Sequence, residues 1–68
     1  MTDTKRLRKK IDGTGISITH ISEQMGITRE CFYNKLNNDT EFKASEIVAL
    51  SKLLHLSDKE RDAIFFAI

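Results

Sequence analysis

ITHISEQMGITRECFYNKL, residues 18–36, decides how this chain is read. In its first half Ile18, Ile21 and Met25 recur at helical spacing, with Ser22 on the same side. Gly26 interrupts the pattern. A second helical pattern begins after Thr28, where Phe32 and Leu36 form an i, i+4 apolar pair. The break is too short for the two segments to stack antiparallel. A turn of this length built around a glycine sets two helices at roughly 90–120° to each other. That crossing pushes the second helix outward, and this helix carries Arg29, Glu30, Tyr33 and Asn34.

The flanking segments fit the same plan. Thr4 to Asp12 is predicted as a short helix with Leu7 and Ile11 on one face, broken by Asp12-Gly13-Thr14-Gly15. Gly13 is expected to take the left-handed conformation that ends many helices. Ser17 is the expected N-cap of the second helix and Thr28 of the third. Asn37-Asn38-Asp39-Thr40 reads as a polar turn, after which Phe42 returns to the core. A fourth helix is predicted from Ala44 to Leu54, with Ile47, Leu50 and Leu54 as its main stripe. Ser57-Asp58-Lys59-Glu60 matches a capping box, so a last helix is expected over about 58–67. No strand pattern or internal repeat competes. The expected fold is all-α, a compact bundle of four or five short helices in a single domain, 1–68, with a helix-turn-helix at about 17–37.

Composition narrows the function. The chain has 68 residues, 40% of them hydrophobic, with no proline and one cysteine. Cys31 cannot form an internal disulfide, and with two distant histidines it offers no zinc spacing, so no metal or cofactor is expected. No apolar run approaches the roughly 18 residues of a membrane span. A cytoplasmic protein without a membrane partner is the expectation. There is no Ser-His-Asp set, carboxylate pair or phosphate loop, which argues against an enzyme. Net charge is only +1, yet Lys5, Arg6, Arg8, Lys9 and Lys10 outnumber Asp3 and Asp12 in the first twelve residues. This places basic charge at one edge of a nearly neutral body.

Ser17 to Leu56 resembles the lambda-repressor-like (Xre-type) family of helix-turn-helix domains, which includes phage repressors, Cro proteins and small bacterial regulators. The turn glycine is Gly26. The small residue needed four positions earlier, where the helices cross, is Ser22. Ile18, Ile21, Met25, Ile27 and Phe32 supply the apolar support. KASEIVALSKLLHL, residues 43–56, arrives at the expected distance with the expected stripe. One position departs from the family pattern. An apolar residue is usual three after Phe32, and this chain has Lys35 there. Leu36 would then be the inward anchor, rolling the end of the helix by about 100°. That roll bears on how Tyr33, Asn34 and Asn37 face outward.

The resemblance implies a sequence-specific transcriptional regulator that binds double-stranded operator DNA. In such domains the second helix of the motif enters the major groove and the first lies across the backbone. The implied base-reading positions are Thr28, Arg29, Glu30, Tyr33 and Asn34. Arg29 suits guanine O6 and N7, Asn34 suits adenine N6 and N7, and Glu30 can accept from cytosine N4. Tyr33 suits a phosphate or a thymine methyl. The bland alternative for Glu30 is a salt bridge with Arg29 or Lys35, or simple complementarity to the helix dipole at the helix start. Implied phosphate contacts are Ser17, Thr19, Lys35, Asn37, Asn38, Thr40 and Lys43, which fix register rather than sequence. Phe65, Phe66 and Ile68 form an expected dimer surface, since a domain this small has little core to cover them all. A homodimer, at least on DNA, is the expected state. Two alternatives stay open: an antitoxin-type autoregulator, and a protein-interaction module of the same fold that does not bind DNA.

Overall fold

The computed structural model describes residues 2–66 and is all-α, with five helices and no strand among them. In chain order they are α1 (Thr4–Thr14), α2 (Ile18–Met25), α3 (Arg29–Leu36), α4 (Ala44–Leu53) and α5 (Asp58–Phe65). Local sequence explains most of the helix starts. The side chains of Asp3, Ser17, Thr28 and Ser57 each accept a backbone N–H from three residues ahead, satisfying an otherwise unpaired donor. The Ser57–Glu60 capping box is present, with Glu60 Oε1 accepting from the Ser57 N–H at 3.2 Å.

Three of the helix ends share one device. At the end of α2, Gly26 N–H donates to Glu23 O and Ile27 N–H to Ser22 O, with Gly26 left-handed at φ 72°. The same pair of bonds closes α3 around Asn38 (φ 62°) and α4 around His55 (φ 54°). Ile27 and Leu56 then turn back to pack on the core.

Three boundaries differ from the sequence expectation. α1 continues through Gly13 to Thr14, and the left-handed residue is Gly15 at φ 73°. Either glycine can end a helix. Gly15 does so because it lies directly before Ile16, which must turn inward to reach the core. α4 stops at Leu53, with Leu54 as its cap. α5 stops at Phe65, with Phe66 as its cap, and residue 67 lies outside the described residues.

One core joins all five helices. Leu7 and Ile11 of α1, Ile21 of α2, Phe32 and Leu36 of α3, Leu50 of α4, and Ile64 and Phe65 of α5 are buried together with Phe42 and Leu54. Phe42 sits at its centre of aromatic contact. Its ring meets Phe32 edge-on at 6.1 Å and Phe65 edge-on at 5.4 Å between centroids. The expectation that Phe65 lies on an outer dimer surface is therefore corrected. It is 4% exposed, because Phe42 returning from the α3–α4 loop covers it. Phe66 is exposed, and Ile68 lies outside the described residues.

Polar ties complete the bundle. Lys10 of α1 and Glu60 of α5 pair at 2.6 Å, and the Asp3 N–H donates to Ile64 O. The Lys10 ammonium bonded to Glu60 holds that carboxyl below the usual carboxylate range, and the Ser57 N–H adds to the effect.

Candidate nucleic-acid interface

α3 divides into two faces. Phe32, Lys35 and Leu36 point inward and are buried. Arg29, Glu30, Tyr33 and Asn34 lie at i, i+1, i+4 and i+5, and all four are exposed. Asn37, one turn further, is exposed as well. Thr28 begins this face. Its Oγ1 accepts the Cys31 N–H at 3.1 Å, which fixes the first turn. Cys31 is half-buried beside it, as a small packing residue should be.

The expected roll of α3 does not occur, because Lys35 and Leu36 are both inward. Lys35 occupies the position where an apolar side chain was expected, and its stem lies in the core. Its Nζ donates to Glu41 O at 3.1 Å and lies 3.1 Å from Glu46 Oε1. The Phe42 ring lies below it, 5.9 Å from Nζ to the centroid. A buried ammonium is tolerated only when paired and hydrogen-bonded, and both conditions are met. This corrects the expectation that Lys35 contacts phosphate: its charge is spent inside the domain.

Glu46 was absent from the sequence reading. The same Oε1 that meets Lys35 accepts the Lys43 N–H at 2.7 Å, so one carboxylate starts α4 and neutralises α3. A signal existed in the sequence. A lysine on an inward position requires an acid partner, and Glu46 is the sole carboxylate of α4. Arg8 was also missed. Its Nη2 donates to Asn37 Oδ1 at 2.8 Å and to Leu36 O at 3.4 Å, placing a cation at the C-terminal end of α3.

The remaining flanking residues are exposed as well. Ser17 and Thr19 open α2 and are exposed, and Ser17 Oγ accepts the His20 N–H at 3.1 Å. Asn38, Thr40 and Lys43 are exposed in the loop after α3. Asn37 keeps its amide donors, although its oxygen is engaged by Arg8. Among the described residues Glu30 pairs with neither Arg29 nor Lys35, and Arg29 and Lys43 have no carboxylate within ion-pair distance. The α3 face thus offers one unpaired cation, one unpaired carboxylate, an amide and a phenol among the described residues, and Lys43 in the following loop is a second unpaired cation. These are groups that hydrogen-bond polar edges. No helix of the described residues is long and apolar enough to cross a membrane. No family model matches this chain, and no curated protein or solved structure matches it.

Proposed function

We propose that this chain is a sequence-specific DNA-binding transcriptional regulator that presents α3 to the major groove. Membership of the lambda-repressor-like family is proposed on the same residues. The observation carrying this reading is the partition of α3. An exposed, contiguous row of Arg29, Glu30, Tyr33 and Asn34 stands on a helix whose opposite side is sealed into the core. Such a row is rigidly held and chemically varied, as base reading requires. Arg29 would read guanine, Asn34 adenine and Glu30 cytosine, with Thr28 and Tyr33 beside them. Ser17, Thr19, Asn37, Asn38, Thr40 and Lys43 would hold the backbone.

Operator binding by a two-fold dimer belongs to this reading. Val48 and Phe66 are exposed beside one another around an apolar groove floored by Phe42 and Ile47. A second copy would meet this groove rather than Phe65. A protein-interaction role without DNA is the second reading, favoured by the unpaired Glu30 on the exposed face and the net charge of +1.

Selection of bound duplexes from a random pool, followed by affinity measurement across salt concentrations, decides between them. A regulator yields one enriched site and an affinity falling by about 0.9 log units per neutralised phosphate for each tenfold rise in salt. Arg29→Ala weakens specific binding more than non-specific binding, whereas Lys43→Ala weakens both. No enriched site, or equal losses for the two variants, refutes the reading.

A further inference from the structure

α1 has two working flanks. Arg8 faces α3, where it bonds Asn37 and Leu36 O. Gly13 lies about 140° further around the helix at 100° per residue, on the flank that borders α5. There the two helices enclose a groove of about 600 Å³, within the size range of natural ligand sites. Apolar Ala63 and Ile64 and the bare backbone at Gly13 line it together with Arg6, Lys9 and Lys10 of α1, and the Glu60 carboxylate, also in the lining, is held by Lys10.

Two features of this groove have no use among the described residues, Lys9 and Gly13, and Arg6 is little used. Lys9 has no ion pair among the described residues, and Arg6 holds only an exposed contact to Asp3 at 3.4 Å. Lys10 is the only one of the three cations tied across the groove, to Glu60. Gly13 sits inside a helix, where glycine costs about 0.5–1 kcal/mol relative to alanine. Its backbone does not need glycine, because its φ is not positive, and a Cβ there would meet nothing within 4 Å. What glycine does provide is close approach of another chain's backbone to α1.

We infer that the α1–α5 groove is a docking surface for an acidic, partly apolar peptide segment of a partner protein. Carboxylates of the segment pair with Arg6 and Lys9, an apolar side chain rests on Ala63 and Ile64, and its backbone passes over Gly13. The apolar lining favours a peptide over a phosphate backbone, which has nothing to place there. The cations stand on the flank of α1 turned from α3, so the α3 face remains available to a second ligand.

The test uses the full chain, isotope-labelled, titrated with a short capped peptide of glutamates around two leucines. Amide shifts should move at Lys9, Lys10, Gly13, Ala63 and Ile64. A peptide with glutamine in place of glutamate should bind at least about tenfold more weakly, equivalent to about 1.4 kcal/mol. Gly13→Leu, which favours the helix and fills the groove without changing charge, should weaken binding about tenfold while the domain stays folded. Arg6→Gln with Lys9→Gln should do the same. Failure of the glutamate peptide to bind, equal binding of the glutamine peptide, or an indifferent Gly13→Leu overturns the inference. So does a random-sequence duplex that shifts the groove amides more than the peptide does, since the groove would then be a phosphate surface.

Discussion

Replacing Lys35 by Met tests the least expected interaction in the domain. The wild-type ammonium and carboxylate are 3.1 Å apart, with side chains only 6% and 9% exposed. Lys35→Met fills the same space with an apolar chain but strands Glu46, whose one remaining partner is the Lys43 N–H. Breaking a buried pair from one side costs about 3–5 kcal/mol, and the surviving hydrogen bond puts this case near about 3. A chain of 68 residues has about 3–10 kcal/mol of total stability at the usual per-residue value, so the loss is a large share. Glu46→Gln keeps an oxygen for the Lys43 N–H but removes the charge facing Lys35, for about 2 kcal/mol. The double variant Lys35→Met/Glu46→Gln has no buried charge and retains the α4 cap, so it should fall within about 1 kcal/mol of wild type. Urea titration followed by far-UV circular dichroism, repeated at several protein concentrations to exclude dimer effects, gives all four corners of the cycle. The expected non-additivity is at least about 2 kcal/mol. Losses that simply add, or a Lys35→Met cost below about 1 kcal/mol, would refute the view that the pair acts as a unit.

Three further outcomes follow from the same geometry. His55 closes α4 at φ 54°, a conformation that strains a non-glycine residue, so His55→Gly should stabilise by about 1 kcal/mol and raise Tm by about 4–8 °C. An unchanged or lower Tm contradicts that account. Gly13→Ala should stabilise by about 0.5–1 kcal/mol and Gly15→Ala destabilise by about 1 kcal/mol, because only Gly15 is left-handed; the opposite order in thermal melts would mean that α1 ends at Gly13. Glu60 has its carboxyl lowered from 4.5, chiefly by the hydrogen bond from Lys10, so it contributes stability above that ordinary value and loses it as pH falls through the lowered one. Glu60→Gln should therefore be less stable than wild type near neutrality and converge with it in acid. Parallel stability curves at every pH would show that the Lys10 pair carries no linkage.

The helices were legible because each is signalled by short-range chemistry. Ser17, Thr28 and Ser57 are cap residues followed by apolar periodicity, and all three caps form as expected. The exposed row on α3 was only partly legible: Phe32 marks the inward side, but taking Leu36 in place of Lys35 as the anchor implied a roll that the structure does not show. The inner partners were less so. Lys35 is polar by type and reads as a surface residue until Glu46, Glu41 O and the Phe42 ring are brought to it from further along the chain. Phe65 and Phe66 are chemically identical neighbours, and nothing local says which one turns inward. The position of Phe42 decides it, by covering Phe65. The choice between Gly13 and Gly15 was likewise undecided locally, because both permit a left-handed turn.

By itself, then, the chain's order of residues determined the all-α class and the starts of α2, α3 and α5, since caps and 3.6-residue periodicity act within a few residues. Only tertiary structure decided which charges remain free to meet a ligand. Lys35 is neutralised by Glu46, Lys10 by Glu60, and Arg8 is bound to the end of α3, while Arg29, Lys9 and Lys43 stay unpaired among the described residues. A charge is available or spent according to what packing brings within a few ångströms of it, and those partners lie up to fifty residues away in the chain.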